Sequence, residues 1–126
     1  MNSQNSVLLE SAKYMGIGDL ERAVATLRSA LVNDLSPEQR SELYAAMGLA
    51  LESAGRYEEA LESFNLGIAS SSQPWCRLHS GRVLARLGRL TQMELEDIRR
   101  NATTTSHNVK LIERYIEEIL SIQITG

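Results

Sequence analysis

Apolar residues recur every three or four positions along most of this chain, which is the spacing that lines one face of an α-helix. The C-terminal segment shows the spacing clearly, because Val109, Ile112, Ile116 and Ile119 follow one another at intervals of three, four and three. A polar, Thr/Ser-rich stretch at 101–108 interrupts the pattern before it and predicts a break between helices. We predict seven helices, over residues 5–17, 20–33, 37–54, 57–70, 74–87, 91–101 and 107–122.

Local signals at the helix starts support these boundaries. Ser36 stands before Pro37, which suits the first helical position, and Gln39 follows three residues after the serine. Thr91 and Glu94 have the spacing of a second capping box. Aromatic residues make up only 5% of the chain, which disfavours a sandwich or barrel built on aromatic cross-strand pairs. The sequence therefore predicts an all-α fold.

The helical pattern occurs in three copies. Gly18 and Gly55 are 37 residues apart, and so are Pro37 and Pro74. A third copy follows 33 residues after the second, with Gly81 for Gly48, Leu84 for Leu51, Gly88 for Gly55, Arg89 for Arg56 and Leu90 for Tyr57. Recurrence at 33 to 37 residues indicates a repeat architecture in which each unit stacks on the next.

The second copy resembles the tetratricopeptide repeat most closely. Its first helix carries Tyr44, Met47, Gly48 and Leu51, and its second follows Gly55-Arg56-Tyr57 with Ala60 and Phe64. In this reading Gly48 lets two helices approach closely, and Gly55 supplies the left-handed residue after the first helix. The first copy departs from the pattern at Glu10, and the third departs at Met93 and Arg100.

The resemblance implies a single domain over 1–126, built as a helical solenoid. Three helix pairs, at about 4–36, 37–73 and 74–105, would stack side by side. The last helix, about 107–122, would cap the solenoid, because a terminal repeat needs its apolar face covered.

In this family the first helix of each unit lines a concave groove. The resemblance places its groove positions at Asn5, Leu8, Ala12 and Met15 in the first unit, at Glu42, Ala45, Leu49 and Glu52 in the second, and at Trp75, Leu78, Arg82 and Ala85 in the third. This lining is mostly apolar and exceeds what the repeat needs for its own packing. An exposed apolar patch of this kind marks an interaction site. The matching ligand is an amphipathic helix.

Two alternatives remain open for the groove, since the last helix or a second copy of the chain could occupy it. One further function is disfavoured. Chaperone adaptors of this family grip a C-terminal carboxylate with Lys and Asn side chains, and the matching positions here are Leu8, Ala12, Ala45 and Leu49, none of which donates a hydrogen bond.

Charge and composition narrow the class of partner. The formal net charge is −3 and the pI is about 5.4, so the chain has no basic surplus for binding nucleic acid. No apolar run approaches a spanning helix, so no membrane insertion is expected, and residues 1–10 lack a basic residue ahead of their apolar stretch, as a secretory signal would require. With its single cysteine, the chain is expected to be cytoplasmic.

No catalytic, metal or cofactor site is expected. His79 and His107 are the only histidines and lie far apart in sequence, without ligand spacing around them. His79 is interpreted as a helix-surface or partly buried residue. Cys76 is interpreted as a small core residue, with a reactive thiol as the alternative.

A narrower resemblance covers the second half of the chain. The segment opening with Pro74-Trp75 and continuing to Leu78, then Leu87-Gly88, a degenerate helix and a terminal amphipathic helix, resembles the tetratricopeptide chaperones of type III secretion needle subunits. These chaperones bury the polymerising helix of the needle subunit in their groove. A small helical co-chaperone completes a three-protein complex, and the first repeat, with Val7, Leu8, Leu9 and Met15, would receive it.

The alternative interpretation is a generic repeat adaptor or scaffold that binds another protein helix or associates with a second copy of itself. An enzyme is a distant third. A needle chaperone is expected to be unstable when expressed without its small partners and stable with them. A scaffold is expected to be stable when expressed alone.

Overall fold

The computed structural model describes residues 3–71, 74–105 and 109–125. Within these ranges all regular secondary structure is helical. Seven helices follow one another: α1 (Ser3–Gly16), α2 (Leu20–Leu31), α3 (Pro37–Ser53), α4 (Tyr57–Ser70), α5 (Pro74–Arg86), α6 (Gln92–Thr105) and α7 (Val109–Thr125). The all-α prediction and the helix order are confirmed.

Both predicted capping boxes are present. The Gln39 backbone N–H donates to Ser36 Oγ at 3.1 Å, and the Ser36 N–H donates to Gln39 Oε1 at 2.9 Å. At α6 the Glu94 N–H donates to Thr91 Oγ1 and the Thr91 N–H donates to Glu94 Oε1, each at 3.1 Å. Each box satisfies N–H groups that a helix start otherwise leaves unpaired.

The first helix of each pair ends in the same way. Gly18, Gly55 and Gly88 have φ values of 77°, 77° and 69°, in the left-handed region that glycine adopts without a Cβ penalty. The residue after each glycine donates its N–H to a carbonyl in the preceding helix: Asp19 to Tyr14, Arg56 to Leu51 and Arg89 to Leu84. The repeat seen in the sequence is therefore also a repeat of backbone geometry.

The helices stack as pairs around a continuous core. α1 packs on α2, α3 on α4 and α5 on α6, while α2 contacts α3 and α4 contacts α5. Gly48 is what permits the α3–α4 contact, because a Cβ at this position would overlap the ring of Phe64. The largest fully buried side chains of this core are Phe64, Leu27, Leu43 and Val83.

α7 covers the end of the stack. Leu78 of α5 and Ile98 of α6 form one apolar cluster with Ile112 and Ile116 of α7. A second cluster joins Ala85, Leu95 and Ile119. The predicted architecture of three helix pairs plus a C-terminal capping helix is confirmed.

The predicted break at 101–108 is too long. α6 continues to Thr105, so Asn101 lies inside the helix. Asn and Thr are weak helix formers but do not break a helix, and neither Gly nor Pro occurs between 92 and 105. Residues 106–108, where the predicted capping helix begins, lie outside the described residues. Among the described helices, none has the length and apolar character required to cross a membrane.

Candidate functional site

A cavity of about 520 Å³ opens between α1, α3 and α5, on the side where the first helices of the three pairs meet. α3 forms its central wall, α1 borders one side and the start of α5 borders the other. The residues that line it are Leu8, Glu38, Ser41, Glu42, Ala45, Ala46, Leu49, Trp75 and Cys76. We refer to the surface formed by these residues as the groove.

The centre of the groove is apolar and open to solvent. Leu49 is 41% exposed, although the neighbouring Ala50 and Leu51 are buried in the core. Ala45 lies one helical turn before Leu49, so both side chains share one face of α3. Leu8 and Trp75 are half-buried on the two flanking helices. Leu49 is not required by the core, which makes it available to a partner.

The floor of the groove is closed by small polar groups. Ser41 Oγ lies 3.6 Å from Cys76 Sγ, and both residues are buried. Burial raises the pKa of the Cys76 thiol, partly offset by its hydrogen bond with Ser41. A protonated, buried thiol is a poor nucleophile. These features support the interpretation of Cys76 as a core residue.

A buried ion pair closes the far end of the groove. The Arg82 guanidinium donates to both carboxylate oxygens of Glu52, at 2.6 and 2.8 Å, and Arg86 Nε lies 3.4 Å from the same carboxylate. Burial alone would raise the pKa of Glu52, but the hydrogen bond and charge of Arg82, with the charge of Arg86, hold that pKa below its usual value. A second cavity, of about 380 Å³, is lined by these three residues and by Leu49, so the two cavities adjoin.

The structure brings together only part of the predicted groove. Leu8, Ala45, Leu49 and Trp75 line the cavity as predicted, as does Glu42. Ala12 is exposed on α1 without lining it, and Met15 packs against the core.

Three predicted groove residues are corrected by the structure. Leu78 and Ala85 are buried in the clusters that α6 and α7 form on α5, so neither faces the groove. Arg82 lies at the groove end but is buried and held by Glu52. The physical reason is the packing of α7. It covers positions on α5 that would otherwise be exposed to solvent, and these positions become part of the core.

The open question of what fills the groove is partly answered. In the described part of the chain, α7 contacts α5 and α6 but neither α1 nor α3. The capping helix therefore does not enter the cavity, although it covers Leu78 and Ala85, the third-unit positions of the predicted groove. The alternative is right for that part of the predicted groove and wrong for the cavity.

Sequence reasoning missed four lining residues. Glu38, Ser41, Ala46 and Cys76 also border the cavity. Glu38 and Ser41 precede Glu42 and Ala45 by four residues, so extending the predicted stripe by helical spacing would have found them. Cys76 is adjacent to Trp75, and its position on the floor depends on how α5 packs against α3, which local spacing does not show.

His79 is buried, which corrects its interpretation as a helix-surface or partly buried residue. Only 6% of it is exposed, between Phe64 and Tyr115, whose ring centroids lie 5.2 and 5.5 Å from that of the imidazole. Its Nδ1 has no hydrogen-bond partner among the described residues. Burial, reinforced by the charge of Arg82 and opposed by that of Glu52, lowers the pKa of His79 to about 4.

This histidine predicts a pH-dependent stability. The unfolded chain binds a proton at a pKa near 6.5 and the folded chain at a pKa of about 4, so acid favours unfolding between these values. We expect His79 to lower the free energy of unfolding by about 2 kcal/mol between about pH 7 and about pH 5. Urea unfolding at both pH values measures the change. His79→Gln should remove most of the difference, and an unchanged pH dependence in that variant would contradict the assignment.

The described residues contain no cluster of three or more His, Cys, Asp or Glu side chains able to hold a metal ion. His79 is enclosed by aromatic rings rather than by ligands. His107 lies outside the described residues.

Comparisons with known proteins agree with the fold described above. Residues 41–74 match the family model of the tetratricopeptide repeat. No curated protein matches the chain in sequence. These 34 matched residues cover α3 from Ser41 onward, all of α4 and the first residue of α5.

Solved structures show the same fold over nearly the whole chain. The type III secretion translocator chaperone SycD of Yersinia enterocolitica has a TM-score of 0.77 at 16% identity, with 99% of this chain and 95% of SycD covered. SycD in complex with a peptide of the translocator YopD has a TM-score of 0.76 at 16% identity and the same coverage. PcrH in complex with the chaperone binding region of PopD has a TM-score of 0.74 at 16% identity, with 98% and 92% covered.

The class of protein follows from these observations. The chain has an all-α, tetratricopeptide-type fold, and residues 41–74 match the model of the tetratricopeptide repeat. The whole of it adopts the fold of type III secretion chaperones, as the resemblance in sequence predicted.

Proposed function

We propose that this protein is a cytoplasmic chaperone of a type III secretion system that holds an apolar segment of a secreted subunit in the groove. The observation that carries the proposal is Leu49, an exposed leucine at the centre of a cavity whose other apolar walls come from three separate helices. An exposed aliphatic side chain contributes little to the stability of the fold, and it offers apolar area for binding a partner. The fold shared with the translocator chaperone SycD supports a chaperone role.

The cargo that we propose is the amphipathic helix by which a needle subunit polymerises. An amphipathic helix presents apolar side chains at intervals of three and four residues, and such a stripe suits an elongated apolar surface along α3. Covering that helix would compete directly with self-assembly of the subunit. SycD and PcrH instead bind segments of translocators, so a translocator segment is the second candidate cargo.

We also propose that a small helical co-chaperone docks on the first repeat. Among the described helices α1 contacts only α2 and α3, and Leu9 on α1 is 60% exposed. Ile17, in the turn that follows, is 75% exposed. These residues offer exposed apolar area on the first repeat, and neither lines the groove.

A fibre-formation experiment tests the chaperone role. Purified chain, candidate co-chaperone and needle subunit are mixed, and polymerisation is followed by light scattering. Suppression at equimolar chaperone supports the proposal. Normal polymerisation combined with binding of a translocator segment would replace the cargo. Normal polymerisation with no secreted partner bound would favour a generic adaptor or a homodimer.

Leu49→Asp is expected to weaken cargo binding about 100-fold, corresponding to about 2.7 kcal/mol. The substitution places a charge in the apolar centre of the groove, where bound cargo would strip it of water. Isothermal titration with the cargo segment measures the effect. Leu66→Asp is the matched control, because Leu66 is 45% exposed on α4, outside the groove. Equal affinities for the two variants would contradict the proposed site.

A further inference from the structure

The apolar centre of the groove is bordered by two acidic residues and no basic ones. Glu38 and Glu42 line the cavity, and each is exposed. They stand four residues apart, so they are neighbours on one face of α3. Neither carboxylate forms an ion pair within the described residues.

The basic side chain closest to them in sequence is engaged elsewhere. Arg40 lies between the two glutamates along the chain, but its guanidinium donates to the carbonyls of Leu31 and Asn33, at 3.2 and 3.3 Å. These carbonyls belong to the end of α2 and the turn after it, whereas the groove lies between α1, α3 and α5. Arg40 therefore leaves the groove carboxylates unneutralised.

Helix stability accounts for the carboxylate of Glu38 but not for that of Glu42. Glu38 lies in the first turn of α3, where a negative charge interacts favourably with the helix dipole. Glu42 lies beyond that turn, and its repulsion from Glu38 mildly destabilises the helix. The charge of Glu42 is therefore not explained by helix stability, and it lies at the edge of a surface that a partner would cover.

The two ends of the groove differ in charge. Glu38 and Glu42 lie near the start of α3 without a cation, whereas near its end Arg82 and Arg86 are balanced by Glu52 and by Glu118, which lies 3.9 Å from Arg86. A basic group on the cargo is therefore favoured at the start of α3 and gains nothing at its end. Complementary charge along a binding surface fixes the orientation of a partner and suppresses wrong partners.

We propose that the groove selects a cargo segment that carries lysine or arginine beside its apolar stripe, positioned over Glu38 and Glu42. This inference rests on the proposed function and names the chemistry of its cargo: apolar side chains contact Leu8, Leu49 and Trp75 while the basic group pairs with the two carboxylates. The charge then sets the direction in which the segment lies along α3.

Synthetic helical peptides of about 16 residues, which as a helix would span α3 at about 1.5 Å per residue, test the inference. All share one stripe of Leu and Ala. There are five peptides. One has two lysines in its first turn and one has two lysines in its last turn. Two others have glutamate at these same positions, and the fifth has glutamine at all of them. The tighter lysine peptide is expected to bind the full chain about 10-fold more tightly than the glutamine peptide, and the glutamate peptide with its pair at the same position is expected to bind more weakly.

Charge reversal in the protein supplies the second arm. The double variant Glu38→Lys/Glu42→Lys should lose the lysine preference and favour a glutamate peptide. Glu113→Lys/Glu117→Lys is the matched control, since these exposed glutamates have the same spacing on α7 and do not line the groove. This control should keep the preference of the parent chain. Circular dichroism of each variant verifies that helicity is retained.

The outcomes separate the inference from the function on which it rests. One outcome supports the groove and overturns the charge selection. In it the glutamine peptide binds the parent chain, binds the Leu49→Asp variant more weakly, and has the same affinity for the parent chain as the lysine peptides. A lysine preference that survives Glu38→Lys/Glu42→Lys overturns it as well. If none of the peptides binds the parent chain, both the groove and the charge selection fail.

Discussion

Phe64→Ala is expected to lower the free energy of unfolding by about 3–5 kcal/mol. The Phe64 ring is fully buried, rests directly on Gly48 of α3 and lies 5.2 Å from the His79 ring of α5, between centroids. Its removal would leave a cavity at the junction of the second and third helix pairs, and close-packed surroundings relax only in part. Urea unfolding followed by circular dichroism measures the loss.

The control for this variant is Leu66→Ala on the same helix. Leu66 is largely exposed, so its truncation should cost less than about 1 kcal/mol. Similar midpoints for the two variants would show that Phe64 does not hold the pairs together. A lowered m-value for Phe64→Ala would indicate that the third pair and α7 unfold separately from the rest.

Arg82→Ala is expected to cost about 3 kcal/mol of stability, the lower end of the range for breaking a buried ion pair. Only 8% of the Arg82 side chain and 10% of the Glu52 side chain are exposed, so removing the arginine strands a carboxylate away from water. Arg86 lies 3.4 Å from the same carboxylate and offsets part of the loss. Chemical unfolding at neutral pH measures the change.

Two further variants sharpen this result. Arg82→Met combined with Glu52→Leu should recover most of the stability, because replacing both partners leaves no unpaired charge. Arg56→Ala removes exposed ion pairs with Glu59 and Glu21, which solvent screens, and should cost much less stability than Arg82→Ala. A loss for Arg82→Ala no larger than that for Arg56→Ala would contradict the role of the buried pair.

The sequence was sufficient for most of the fold because its signals are local. Helix caps such as Ser36 and Thr91 act within one turn, and the glycine that ends each first helix acts through its own φ angle. The apolar period identifies the buried face of a helix without reference to its neighbours. Interactions of this range are decided by nearby residues, so they can be read from one chain.

The groove was only partly predictable. Ala45 and Leu78 occupy equivalent positions in successive units, yet Ala45 lines the cavity and Leu78 is fully buried. The sequence pattern assigns both to the groove. The difference arises because α7 packs against α5 and α6 and covers Leu78, whereas α3, which carries Ala45, has no contact with α7 in the described residues.

The sequence by itself determined the helices, their order, the three-unit repeat and the apolar character of α3 around Leu49. Only the tertiary structure decided which of these positions remain open, because exposure depends on residues distant in the chain. Arg82 meets Glu52 across 30 residues of sequence, and His79 becomes enclosed by Tyr115 of α7. No local pattern encodes such encounters, since they arise when packed helices bring separate side chains into the same low-dielectric space.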